Sequence, residues 1–205
     1  MSDQKRLWLA VLNLSLPVLL GAFAMDMLLP ALPEMAMALR LTPGQIQWTL
    51  NVFILGFALC NLFVGMIAAR LGIHVLFILA AILYIVSSVG IALSTSYFLI
   101  LALRLLQALA SCTTLVISMA LITQTFHASF VTQGHSILSG VTSLGPLLAP
   151  IAGAAIVSLG GSWRSIFFAL ALTGSVVLAL FIRRSRLFCW CTQGQVLQQL
   201  SLIHI

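Results

Sequence analysis

Residues 73–119 read IHVLFILAAILYIVSSVGIAL, then STS, then YFLILALRLLQALASCTTLVISM. Two long apolar runs flank a short polar break, and Arg104 is the only charged side chain in the stretch. Crossing the hydrocarbon core of a bilayer takes about 20 apolar residues, and each run is of that size. In lipid the backbone N–H and C=O groups find no water, so only helices or closed barrels satisfy them. A barrel strand alternates apolar and polar side chains. Here the apolar runs are continuous, and a pair of membrane-spanning helices follows.

The rest of the chain repeats this pattern. Hydrophobic residues make up 62% of the 205 and charged residues 6%, where a soluble domain carries roughly 25% charged. The mean hydropathy of +1.21 agrees, so lipid is the solvent for most of the chain. A net charge of +6 does not point to nucleic acid, because no basic cluster with interleaved aromatics appears. The basic residues mark span ends instead.

Six spans are expected: about Leu7 to Leu29, Ile46 to Ala69, Ile73 to Leu93, Tyr97 to Met119, Gly134 to Leu159 and Ser165 to Ile182. Pro30 and Pro33 close the first. Thr42-Pro43-Gly44-Gln45 predicts a helix start, with Thr42 as N-cap, Pro43 at the first helical position and Gln45 completing a capping box. Thr123 to Gln133 is polar enough for a loop, and Gly160-Gly161-Ser162 separates the last two spans. Lys5 and Arg6 followed by Ala22-Phe23-Ala24 resemble a signal peptide with its cleavage site. The apolar run continues past that site, however, and is read as a retained span. With the N-terminus in the cytoplasm, that side carries Lys5, Arg6, Arg70, Arg183, Arg184 and Arg186, against Arg40 and Arg164 outside. The positive-inside rule then puts both termini in the cytoplasm.

Charged side chains within spans are costly and mark function. Only Asp26 and Arg104 qualify. They lie roughly 6 and 10 Å from the outer ends of their helices at 1.5 Å per residue, so they are expected to meet on adjoining helices. Low dielectric favours a neutral acid and a nearby arginine favours the carboxylate. An aspartate between those pulls can take and release a proton, which is what a proton-coupled transporter needs. Two plainer readings stay open: Asp26 sits among the headgroups, or the pair is structural. Gln107, one turn from Arg104, shares its face, and Asn51 is a further polar candidate. For both, helix–helix hydrogen bonding is as open as substrate contact. In the fifth span Gly145, Ala149 and Gly153 recur every four residues, with Pro146 and Pro150 at the same spacing. Small residues at that period allow close helix contact in lipid, and each proline removes a backbone hydrogen bond. His74, His127 and His135 are expected to be solvated at span ends. Cys60 and Cys112 are read as small core residues. No Cys/His spacing for a metal and no catalytic set for an enzyme is present, and no cofactor is expected.

Four segments resemble the major facilitator superfamily, in particular the Bcr/CflA-type drug-resistance exporters. They are Asp26-Met27-Leu28-Leu29-Pro30-Ala31-Leu32-Pro33, Arg104-Leu105-Leu106-Gln107-Ala108, Gly145-Pro146 through Gly153, and Trp163-Arg164-Ser165-Ile166-Phe167. The second resembles a helix-four motif whose arginine is linked to proton transfer, and the third the helix-five antiporter motif. One departure lies at Gly65 to His74, where Ala69 stands in place of the family's aspartate and Ile73 and His74 in place of basic residues.

The resemblance implies an all-α membrane fold of six helices in two three-helix repeats, the N-terminal half of a major-facilitator fold. It implies a proton-coupled drug efflux antiporter in a bacterial inner membrane. Asp26 and Arg104 would be its proton-coupling residues and Gln107 and Asn51 would face the substrate cavity. Gly145, Pro146, Ala149, Pro150 and Gly153 would form the helix-five motif. The partners implied are protons, a drug-like small molecule, the bilayer and a C-terminal half absent from this chain. The rival reading is a non-transporting remnant or an accessory membrane interaction protein, which the altered loop favours. Residues 1–186 are read as the half-domain. Residues 187–205 change composition abruptly and end in Leu-Ser-Leu-Ile-His-Ile, which a common sequencing-transposon end would encode in one frame. They are expected to be foreign or frameshifted, and an independent reading of the gene should lack them. An uninterrupted genomic sequence encoding the same tail would contradict this.

Overall fold

The computed structural model describes the backbone of residues 3–125 and 128–203, and the side chains of residues 8, 11, 13–124 and 130–183. Every regular element among them is helical: α1 (Asp3–Asp26), a 3₁₀ turn (Leu29–Ala31), α2 (Leu32–Leu39), α3 (Pro43–Leu71), α4 (Ile73–Leu93), α5 (Tyr97–Thr125), α6 (Ala128–Ser158) and α7 (Trp163–Ile203). Six stretches are long and apolar enough to cross a bilayer. The shortest have 21 residues, about 32 Å of helix, which matches the hydrocarbon thickness. The chain is a multi-pass membrane protein.

The helix ends follow from local chemistry. α1 stops at Asp26 because Pro30, four residues on, has no N–H to give the Asp26 carbonyl and its ring would collide with that carbonyl. The helix α1 therefore ends three residues before the apolar run does at Leu29. Pro33 is accommodated in the first turn of α2, a short helix the hydropathy pattern does not announce. The expected capping box is present: Gln45 N donates to Thr42 Oγ1 at 3.4 Å and Thr42 N donates to Gln45 Oε1 at 2.9 Å. Gly160 adopts φ 81°. Gly161 N donates to Ile156 O and Gly160 N to Val157 O, the paired bonds that close a helix with a left-handed residue.

Two expectations change. The polar stretch Thr123 to Gln133 is mostly helix, since α5 runs to Thr125 and α6 begins at Ala128. Polar residues do not break a helix once it leaves the apolar layer, and Thr123 Oγ1 and His135 Nε2 join the two helices at 3.0 Å. His74 is not a solvated loop residue: it sits in the first turn of α4, its ring 5.9 Å from that of Phe181. The helix α7 continues past Ile182 to Ile203. The side chains of residues 187–205, and with them the expected foreign tail, lie outside the described residues, as does His127.

The packing has two layers. One is the row α6–α1–α5–α3, and behind it α4 and α7 pack on each other, on α5 and on α1. Exchanging α1, α3, α4 with α5, α6, α7 maps this pattern onto itself. The α3–α5 contact becomes α6–α1, α4–α5 becomes α7–α1, and α1–α5 and α4–α7 return to themselves. That is the signature of two three-helix repeats. Successive crossings alternate in direction, so α1 and α5 run oppositely and the repeats are inverted. Small residues bring the helices together. A Cβ on Gly56 would lie 2.9 Å from Leu105, and one on Gly145 2.5 Å from Ala22; one on Gly153 would run into the carbonyl of Met27.

This last contact gives a matched pair of substitutions within α6. Gly153→Ala meets rigid backbone and should destabilise the fold by about 1–3 kcal/mol. Gly140→Ala, with nothing near its Cβ, should stabilise it by up to about 1 kcal/mol. Thermal unfolding of the detergent-solubilised variants measures both; equal effects would contradict the contact between α6 and the turn after α1.

Candidate functional site: a buried arginine at the end of α1

Arg104 is fully buried two turns into α5, the helix that touches α1, α3, α4, α6 and α7. An isolated charge in an apolar interior is very costly. Among the described residues no carboxylate pairs with Arg104, so the compensation comes from elsewhere. Arg104 Nη1 donates to the carbonyl of Ala24 at 2.7 Å. Ala24 lies in the last turn of α1, whose final carbonyls have no partner within the helix and carry the negative end of its dipole. Nη1 also donates to Gln107 Oε1 at 3.1 Å. The rings of Phe53 on α3 and Phe167 on α7 lie 5.6 and 4.9 Å from the guanidinium carbon. Such cation–π contacts are worth about 2 kcal/mol when desolvated. The Nε and Nη2 groups have no hydrogen-bond partner among the described residues.

The network extends to α4. Gln107 Nε2 donates to Ser88 Oγ at 2.8 Å, and Ser88 Oγ donates to the Tyr84 carbonyl at 2.7 Å. Tyr84, also fully buried, donates from its hydroxyl to the Leu20 carbonyl at 3.2 Å. Leu20 and Ala24 are one turn apart on α1, so α4 and α5 grip the same face of that helix. Neither Ser88 nor Tyr84 is singled out by the sequence. A serine and a tyrosine inside an apolar run carry no charge to flag them, and only the fold shows that they line up with Gln107.

The expected meeting of Asp26 and Arg104 is not a direct contact. Asp26 is partly exposed, and among the described residues no ion pair joins it to Arg104. Helix geometry gives the reason. Two residues separate Asp26 from Ala24, a rotation of about 200° at 3.6 residues per turn. The Asp26 side chain therefore leaves α1 on the side opposite that of Ala24. Asn51 is exposed on α3 and accepts from Gln47 Nε2 at 3.3 Å; it is not near Gln107's network of bonds. Gln107 itself is fully buried and lines no open surface of this half. Gly145, Ala149 and Gly153 form a buried stripe on α6, with Gly145 against α1 and Gly153 against the turn that follows it, at Met27 and Pro30. Pro146 is exposed and Pro150 partly so, and both lie within one uninterrupted helix.

At the ends of the spans opposite the N-terminus of α1, Glu34 Oε2 on α2 accepts from the backbone N–H of Trp163 at 3.0 Å, capping α7. Arg164 donates from Nη1 to the Ala92 carbonyl at 2.8 Å, at the end of α4. The segment Trp163-Arg164 thus ties α2, α4 and α7 together.

Fold and centre together define a helical membrane protein of two inverted repeats closed around a buried arginine. A model of the Major Facilitator Superfamily matches residues 14–187, and the chain belongs to that family. Proteins called Multidrug resistance protein MdtL, from Escherichia coli K12, Escherichia coli O9:H4 (strain HS) and Shigella boydii serotype 18, are each 35% identical over 163 residues. The match covers 80% of this chain and 41% of each relative.

The two polar centres should respond differently to substitution. Gln107→Leu removes a buried acceptor and leaves Arg104 and Ser88 short of a partner, which should cost about 1–3 kcal/mol. Asp26→Asn should change stability by less than about 0.5 kcal/mol. Unfolding midpoints of the two variants check this, and a large loss with Asp26→Asn would reveal a carboxylate contact.

Proposed function

We propose that the chain is the N-terminal half of a drug/proton antiporter of the bacterial inner membrane, with both termini in the cytoplasm. The observation that carries this reading is the separation of the two charges. Arg104 is bonded in the protein interior to the end of α1, while Asp26, two residues beyond Ala24, is partly exposed and makes no ion pair with it among the described residues. A fixed positive charge behind a carboxylate that can reach water favours proton release without locking the acid into an ion pair. In this reading Asp26 accepts a proton when the cavity faces outward and gives it up when the cavity faces the cytoplasm. Drug moves the other way. Arg104 sets the electrostatic background.

The substrate cavity lies between this half and a second six-helix half, as expected of proteins built from such repeats. The exposed apolar side chains of α3 and α6, among them Leu62, Phe63, Leu147 and Ile151, support this, because those two helices are the ends of the front row and keep the most surface. Asn51 on α3 is then available to the cavity, and Gln107 serves Arg104 instead. The helix-five stripe Gly145, Ala149 and Gly153 holds α6 against α1 and the turn that follows it, with Pro146 and Pro150 toward the partner half. The relatives' name, Multidrug resistance protein, supports drug-like molecules as the substrate class.

A second reading, an accessory membrane protein without transport, is favoured by the loop at Gly65 to His74. There Ala69 is exposed where the family's aspartate is expected.

Vesicles carrying the chain together with the second half of a full-length relative separate the two. Addition of a lipophilic dye should release protons, and Asp26→Asn should abolish that release while the chain stays folded. Dye transport with unchanged pH dependence in Asp26→Asn would overturn the coupling assignment, and no dye-dependent proton movement at all would favour the accessory protein.

A further inference from the structure

Ser88 is buried in α4, completely shielded from solvent, and its hydroxyl has a fixed polarity. It donates to the Tyr84 carbonyl at 2.7 Å, so toward Gln107 it can only accept. The guanidinium of Arg104 can only donate. Between these two the amide of Gln107 has one orientation that works: Nε2 toward Ser88 at 2.8 Å and Oε1 toward Arg104 at 3.1 Å. Turned over, Nε2 would face the guanidinium, donor against donor.

This polarity determines which edge of Arg104 is occupied. Nη1 serves both Gln107 and the Ala24 carbonyl, using its two hydrogens. Nε and Nη2, side by side on the other edge, have no partner among the described residues. That edge is the two-donor fork that receives a carboxylate in bidentate pairs. Without the acceptor at Ser88, the Gln107 amide nitrogen would be left buried and unpaired, a loss that favours moving the side chain. Gln107 would then release Nη1, leaving the Ala24 carbonyl as its one remaining hydrogen-bond partner among the described residues, and the guanidinium would turn more readily about its Nε–Cζ bond.

We propose that Ser88 is a positioning residue for Arg104: acting through Gln107, it fills the second hydrogen of Nη1 and holds the guanidinium in one orientation, with Nε and Nη2 on the edge away from those bonds. The functional meaning of that edge rests on the drug/proton reading; the positioning itself does not.

The test uses the full chain, labelled with ¹⁵N-arginine, in lipid nanodiscs, with the Arg104 signals identified by their loss in Arg104→Lys. A guanidinium held as described gives separate Nη1 and Nη2 signals. Ser88→Ala should merge them into one averaged signal, and Ser88→Thr, which retains the hydroxyl, should keep them separate. If Ser88→Ala fails to fold, Ser88→Cys takes its place with the same expectation, since a thiol is a weak acceptor. Separate signals in the alanine or cysteine variant would overturn the proposal. So would merged signals in the threonine variant, because size rather than the hydroxyl would then be at work. Asp26→Asn should leave both signals separate. A failure of the antiport reading would therefore appear in proton flux with this spectrum intact, and a failure of the present proposal in the spectrum whatever the flux.

Discussion

The contact between the Arg104 guanidinium and the Ala24 carbonyl, 2.7 Å long, organises the molecule around two needs that answer each other. Pro30 cuts α1 short and leaves carbonyls at its end without partners within the helix, that of the fully buried Ala24 among them. α5 carries a buried cation with no carboxylate beside it among the described residues. Each is costly alone. Together they place a donor on an orphan acceptor, at the negative end of a helix dipole and between two aromatic faces. The same contact fixes the rotation of α1, and that rotation turns Asp26 to the opposite face. The separation of acid and base is thus a consequence of helical pitch.

The rest of the packing keeps this centre closed. Lipid offers no hydrophobic drive for helix association, so close contact has to come from small residues and polar bonds. Gly56 lets α3 reach α5, and Gly145 and Gly153 let α6 reach α1 and the turn that follows it. Tyr84 ties α4 to α1 one turn below Ala24. Because the contacts repeat under exchange of the two three-helix units, one set of close approaches supports both sides of the central α1–α5 pair. α3 and α6 remain as the outer members of the row. The chain spans 41% of the length of the relatives it matches, and the uncovered faces of those two helices are where we place the second half.

Much of this was legible in the sequence, for reasons specific to each feature. Spans are legible because burial in lipid demands continuous apolar length. The start of α3 is legible because Thr42, Pro43 and Gln45 are a local code. The small stripe of α6 is legible from its period of four. Arg104 and Gln107 stood out as polar groups inside apolar runs, and they are bonded to each other. The lack of an Asp26–Arg104 contact is not legible, because spacing along the chain gives depth along the membrane normal and not the direction of a side chain about the helix axis. The helical extents of α5 and α6 beyond the apolar layer, and the short α2, escaped because hydropathy reports the solvent rather than the backbone. Ser88 escaped because an uncharged hydroxyl in an apolar run has no signature until its neighbours are known.

The most direct measurement is a pair of distances in the membrane-embedded chain, from the Nη nitrogens of Arg104 to the carbonyl carbon of Ala24 and to the carboxyl carbon of Asp26, by solid-state NMR dipolar recoupling with selective labels. A nitrogen-to-carbon separation of about 4 Å or less for Ala24, as a hydrogen bond requires, with no short separation to Asp26, is the expected result. A short distance to Asp26 and none to Ala24 would mean that an ion pair, and not the end of α1, holds the buried arginine.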